Sequence, residues 1–217
     1  MGGRGAFSLS GSMKPYRTKK RSDVISGTLR EAIGALGSPA TIEQAMERAN
    51  EDLIKTGSSA FEENCYNVVV AYELQRRGYN VKARGHDEKL NLGEMIYPHG
   101  KDSGYFVSRW TGAFKGAHFE HVGDNNTSKA ISNLTSKIKS YGHGARGAVQ
   151  FDYAHFDWGH VLNFENKNGK VVFIDAQIGK KLTVKEVLKG VNPNTVNVVR
   201  TDNLRLSDKA RKSVKKR

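Results

Sequence analysis

The chain has one cysteine, four prolines and no long apolar run among its 217 residues. A single cysteine, Cys65, permits neither an internal disulfide nor a cysteine-rich zinc site. Its thiol is therefore core filler or a group with chemistry of its own. No stretch reaches the ~20 apolar residues that a spanning helix requires, so no membrane partner is expected. The opening "MGGRGAFSLSGSMKPYRTKKR" lacks the apolar centre of a secretory signal peptide. Acids are missing from both ends: residues 1–22 and 209–217 each hold six Lys or Arg and no Asp or Glu. Positions 23–208 then carry 23 basic residues against all 22 acids, so the net charge of +13 belongs to the ends. Basic ends attract phosphate backbones without reading sequence. Nonspecific contact with DNA is the partner this suggests, and simple solubilising ends are the alternative. A sequence-specific DNA reader is not what the distribution describes.

The remaining content suits one domain with tails or a domain with a small appendage; 37% of the residues are hydrophobic, enough for a sizeable core. Residues 1–22, rich in Gly and Ser and then basic, read as a disordered N-terminal tail. A helical segment follows over 23–58. Its first helix spans 23–36, with Val24, Ile25, Leu29, Ile33 and Leu36 on one side. Its second opens on a Thr41/Gln44 capping box, carries the stripe Ile42, Ala45, Met46, Ala49 and Leu53, and closes at Gly57-Ser58. Ser59 and Glu62 offer another capping box for a helix over about 60–77, with Gly78 at its C-cap. "YNVKA" reads as a strand, and Gly85 to Gly116 as loops with short strands. A helix over 127–140 is predicted by Ala130, Ile131, Leu134 and Ile138. "RGAVQFDY" is strand-like, and "GHVLNFENKNGKVVFIDAQ" is a hairpin turning at Asn168-Gly169. A short helix at 183–189, a strand near 195–200 and a basic C-terminal tail over 202–217 complete the pattern. Helices first and strands later give an α+β class: N-terminal helices followed by an antiparallel sheet.

Cys65 falls in the first turns of the third helix, where unpaired N–H groups and the helix field favour a thiolate, the nucleophilic form. A buried core cysteine is the competing reading. Asn64 beside it offers an amide that can donate to a developing oxyanion. With the hairpin centred on Asn168-Gly169, residues whose numbers sum to 337 face each other, so His160 faces Gln177 and Leu162 faces Asp175. His160 and Asp175 are then diagonal neighbours on one face, within side-chain reach. A histidine that activates a thiol, and an acid that orients the histidine, are the components of covalent acyl transfer. Gln177 is placed to support the ring or the substrate. Gly159 would admit a substrate backbone, and Trp158 would line a cleft, although core packing is the plainer reading of Trp158 and Trp110. The other histidines, His86, His99, His118, His121, His143 and His155, match no metal motif, so neither metal nor cofactor is expected. Arg76-Arg77 are placed to meet the C-terminal carbonyls of their own helix.

"NCYNVVVAYELQRRGYNVKAR", "YGHGARGAVQ" and "GHVLNFENKNGKVVFIDAQIG" together resemble the papain-fold toxin family of the glutamine deamidase type, over about residues 60–180. The resemblance implies a papain-like cysteine protease fold, with a catalytic domain over 59–201. It implies a triad of Cys65 as nucleophile, His160 as base and acid, and Asp175 as orienting group, with Asn64 and Gln177 in support. The block Gly144 to Gly147 resembles the family's lead-in to a strand and would shape the cleft. The activity implied is cysteine-dependent hydrolysis of protein glutamine side chains or peptide bonds through a thioester. The partner implied is a protein substrate. "MGGRGAFS" is similar to the starts of phage minor head proteins, which suggests phage head or portal proteins as partners and a virion or bacterial cytoplasm as location. A structural or DNA-associated head protein without turnover is the alternative, and a nuclease-type toxin that has no need of Cys65 is a third.

Overall fold

The computed structural model of the protein describes residues 25–86 and 109–217. Residues 1–22, Val24, His99 and most of the Gly85–Gly116 stretch lie outside them. The Ser26 hydroxyl accepts the Leu29 amide and starts α1 (Gly27–Ile33). This helix is shorter than the 23–36 expected because Gly34, at φ 80, turns the chain out of it. Thr41 and Gln44 form their capping box and start α2 (Ile42–Ala49), which buries Ile42, Ala45 and Ala49. The chain leaves helical geometry at Asn50 (φ −125, ψ 36), and α3 (Glu51–Thr56) follows, so the single helix expected over this stretch is two. The Ser59/Glu62 capping box does not form. Ser58 instead caps a 3₁₀ turn at Ser59–Phe61, and α4 (Cys65–Arg77) begins only at Cys65. Every residue of α4 from Cys65 to Gln75 is buried, which marks it as the central helix.

The strands are β1 (Val81–Ala83), β2 (Glu120–His121), β3 (Arg146–Asp152), β4 (Gly159–Lys167), β5 (Lys170–Asp175), β6 (Lys180–Leu182), β7 (Asn197–Arg200) and β8 (Val214–Lys216). Helix α5 (Thr127–Ser140) precedes β3, capped by Asn126, and the short α6 (Val184–Val187) follows β6. Six strands form one antiparallel sheet in the order β2-β7-β3-β4-β5-β6; β1 and β8 form a second, two-stranded one. Asn168 and Gly169 both have positive φ (53° and 83°), as a two-residue hairpin turn of the favoured hand requires. The pairs Lys167↔Lys170 and Asn163↔Ile174 fix the expected register.

The large sheet lies between two helices. On one side Asn163 Nδ2 donates to the Val69 carbonyl of α4, and Ala148, Val161, Ile174 and Val199 share a core with Val68, Val69 and Tyr72. On the other side Ala130, Leu134 and Ile138 of α5 pack with Val149, Leu162, Phe164 and Phe173. Burial on both faces explains why β4 reads as an almost continuous buried run.

Buried charges tie α4 to the sheet. Glu73 accepts from Arg77 Nε at 2.8 Å and Arg146 Nε at 2.9 Å; Glu165 accepts from Tyr72 at 2.7 Å and Arg76 at 2.5 Å. Burial pushes the Glu73 carboxyl up, but the Arg146 and Arg77 charges outweigh it and hold the group below its usual range. Arg76 and Arg77 stand in the last turn of α4, and their guanidinium groups serve these buried acids. They reach Glu165 and Glu73, and their remaining donors meet the carbonyls of Ala40, Thr201 and Leu204. The Gly144–Gly147 block serves the same framework rather than the cleft: Arg146 binds Glu73, and a Cβ on Gly147 would come within 2.0 Å of the Val199 carbonyl oxygen on β7.

Residues 202–217 are part of the fold, not a loose tail. A 3₁₀ turn at Asp208–Lys212 leads into β8, which pairs with β1 through Val81↔Lys216 and Ala83↔Val214. Ala210, Ser213 and Val214 point inward. Lys215 pairs with Asp52 at 3.3 Å and Arg217 with Glu51 at 2.7 Å. The apolar residues are too few and too widely spaced among the cations to announce a strand in the sequence. No helix of the described residues is long and apolar enough to cross a membrane.

Candidate active site

Cys65 is the first residue of α4, closer to the helix end than its sequence context suggested. The 13-residue helix therefore directs its positive end at this thiol. Cys65 is only 8% exposed. Its backbone N–H lies ahead of the first amides bound within the helix, those of Asn67 and Val68, on the Asn64 carbonyl.

His160 stands at the start of β4 and Asp175 at the end of β5, so the hairpin brings them to the same end of the sheet. His160 Nε2 and Asp175 Oδ2 are 2.8 Å apart, the diagonal contact expected of the register. Asp175 Oδ1 accepts the Gln177 backbone amide at 3.1 Å, which fixes the carboxylate plane. Burial alone would lower the pKa of His160. The Asp175 carboxylate bonded to the ring, with the Cys65 side chain in the same field, outweighs burial and raises it to about 10. Tyr153, at the end of β3, lies in the same field: burial first, then the Asp175 and Cys65 charges, raise its phenol pKa.

The two flanking residues differ in what they serve. Asn64 is fully buried, and its Nδ2 donates to Asn50 Oδ1 and to the Arg84 carbonyl, each at 3.0 Å. Both amide hydrogens are committed, so the oxyanion role expected of Asn64 has no donor to serve it. Gln177 Nε2 donates to the Glu62 carbonyl at 2.7 Å and to Asn64 Oδ1 at 3.4 Å. Both side chains hold the approach to Cys65. Asn50, which the sequence did not single out, completes the cluster by donating to the carbonyls of Phe61 (2.9 Å) and Gln177 (3.3 Å). Its only outward signal is a poor helix former placed where a helix stripe should continue.

Gly159 does not open space for substrate. A Cβ there would meet the Phe151 carbonyl oxygen at 2.3 Å and Asp152 Oδ1 at 2.6 Å, so the close approach is by β3. Asp152 beside it is raised to about 6 by burial. The two tryptophans separate. Trp110 is core, donating to Gln150 Oε1 at 3.3 Å, whereas Trp158 is 51% exposed, contrary to its plainer reading as core. Of the other described histidines, His86 meets Tyr66 at 2.7 Å, His118 the Gly116 carbonyl, and His143 the Asn168 amide. Among the described residues no group of three or more His, Cys, Asp or Glu is placed to hold a metal ion.

A cysteine opening a central helix, set against an antiparallel sheet that presents a His–Asp pair, defines a papain-like architecture. The family described as papain fold toxin 1, glutamine deamidase, matches residues 63–180, a little over half of the chain, and the protein belongs to that family. The match spans Cys65, His160, Asp175 and Gln177; α1–α3, α6, β7 and β8 fall outside it. No curated protein sequence matches the chain.

Proposed function

We propose that the protein is a cysteine-dependent amidohydrolase that converts protein glutamine side chains to glutamate through a thioester on Cys65. The observation that carries this reading is the His160–Asp175 pair, with its raised imidazole, beside a cysteine at a helix N-terminus. With Nε2 committed to Asp175, Nδ1 is the ring atom available to the sulfur. A protonated imidazole there supplies the counter-charge for a thiolate. The thiolate attacks the side-chain carbonyl carbon, and the oxyanion forms against the Cys65 N–H at the positive end of α4. His160 passes its proton to the leaving nitrogen, ammonia departs and the thioester remains. Water, deprotonated by His160, then attacks the thioester, and the carboxylate product leaves as the thiol is regenerated. Asp175 keeps the ring oriented throughout.

Peptide hydrolysis would use the same thioester and differ only in the leaving amine. Family membership supports the side-chain reaction. The competing reading, a phage head or DNA-associated protein that keeps the fold without turnover, rests on the basic ends. Its support is thinner at the C-terminus, where Lys215 and Arg217 are engaged by Asp52 and Glu51. The test is ammonia release from glutamine-containing peptides and denatured proteins, with mass spectrometry for the +1 Da conversion and for new N-termini. Cys65-dependent ammonia without chain cleavage is expected. New N-termini would move the reading to peptidase, and activity that survives Cys65→Ala would overturn it.

A further inference from the structure

Five large apolar side chains are mostly exposed among the described residues, and three of them, Phe156, Trp158 and Ile178, lie on two turns. The turn after β3 carries Phe156 (59% exposed) and Trp158 (51%). The turn after β5 carries Ile178 (55%). The pairs Asp152↔Gly159 and Asp175↔Lys180 show that both turns leave the sheet at the end that bears His160 and Asp175. The aromatic turn is a built surface. Tyr153 packs edge-on against Trp158 with ring centroids 4.6 Å apart, Phe156 lies 5.2 Å from Trp158, and Phe151 supports Tyr153 at 5.7 Å and the His160 ring at 6.1 Å. The rings thus form one continuous run from the imidazole to solvent. Exposed aromatics held this rigidly lose little entropy on contact and are typical anchors of recognition surfaces. Scattered single apolar residues need no explanation, but a cluster bordering a reactive site does.

We propose that these two turns are the substrate-docking surface of the site, and that they select glutamines whose neighbours in the substrate polypeptide are aromatic or large aliphatic. This rests on the reading of Cys65 and His160 as the reactive groups, because continuity with that site is what names the occupant. Cys65 is too enclosed for a folded surface to press against it, so the target amide has to be delivered on a side chain while its neighbours rest outside. The rim available for those neighbours offers Phe156 and Trp158 on one turn, beside exposed His155 and Asp157, and Ile178 on the other.

The test uses the full-length Cys65→Ala protein and two synthetic peptides of equal length and charge, one with Leu-Gln-Phe at its centre and one with Ser-Gln-Ser. The Leu-Gln-Phe peptide is expected to bind about tenfold more tightly, the size of effect that burying one large apolar side chain produces. It should also shift the Trp158 emission to the blue, whereas the buried Trp110 stays constant. Phe156→Ser/Trp158→Ser should bind the two peptides alike, and Ile178→Ser should narrow the difference; the exposure of all three makes loss of folding an unsuitable explanation, which a thermal melt checks. Equal binding of the two peptides, or a preference that survives the double variant, overturns the proposal. Wild-type protein that shows the binding preference but releases neither ammonia nor a new N-terminus removes the hydrolytic reading and leaves the docking surface supported.

Discussion

Replacing Asn50 by alanine tests how the N-terminal helices serve a site they do not enter. The carboxamide of Asn50 donates to the Phe61 and Gln177 carbonyls and accepts from Asn64. At about 1 kcal/mol net per hydrogen bond, the three are worth about 3 kcal/mol. The buried partners left behind raise the expected loss to about 3–4 kcal/mol, because an unsatisfied buried group costs more than the bond it made. A domain with ~5–15 kcal/mol of stability survives this, so the effect is measurable by urea denaturation without collapse. The loss should be local as well. Asn64 is freed from Asn50, the Phe61–Asn64 approach to α4 loosens, and the rate of Cys65 alkylation by iodoacetamide changes at concentrations of denaturant well below unfolding. Thr41→Ala is the control. It removes the capping box at the other end of α2 for about 1 kcal/mol and touches nothing near Cys65. If Asn50→Ala costs no more than Thr41→Ala, or if Cys65 reactivity is the same in both, the buried amides do not position the thiol.

Two further predictions concern charge and the C-terminus. The folded pKa of His160, about 10, lies above its ordinary 6.5, so its contribution to stability is complete below about pH 6.5 and is lost as pH rises through about 10. The groups facing the ring are Asp175, Cys65 and Phe151; wild-type stability measured from pH 6.5 to 10 should fall more steeply than that of His160→Gln, and parallel curves would refute the assignment. Ending the chain after Lys212 removes β8, buried Val214, the Ser213 carbonyl that accepts the Arg84 amide, and the Arg217–Glu51 pair. The Val214 side chain alone is worth about 1.5–3 kcal/mol, so the urea midpoint should drop sharply, and because the Arg84 carbonyl holds Asn64, Cys65 reactivity should change with it. An unchanged midpoint would mean that β8 is dispensable.

The parts of the site that were legible in the sequence are those set by local rules. Asn168-Gly169 can turn a hairpin in only one favoured way, and one residue of register decides whether His160 meets Asp175 or faces away from it. The α5 stripe and the strands on either side of the hairpin follow from periodicity. Tertiary demands hid the rest. Asn50 breaks a helix that its neighbours would continue, because three buried groups need its amide. Asn64 looked like an oxyanion donor from its place beside Cys65, yet the Arg84 carbonyl and Asn50, distant in sequence, consume its hydrogens. Strand β8 carries one buried apolar residue among cations whose partners, Glu51 and Asp52, lie at the other end of the chain. The signal for the apolar rim was present as aromatic density in "FDYAHFDW", but density alone does not tell core from surface.

The most direct test of Cys65 as a nucleophile paired with His160 is its alkylation rate by iodoacetamide from pH 5 to 10 in the wild-type, His160→Gln and Asp175→Asn proteins. Rapid alkylation already at neutral pH, lowered about 100-fold or more in His160→Gln and by less in Asp175→Asn, is the expected result. Equal rates in all three proteins, rising only as an ordinary thiol ionises, would contradict the pairing and leave Cys65 as a buried core residue.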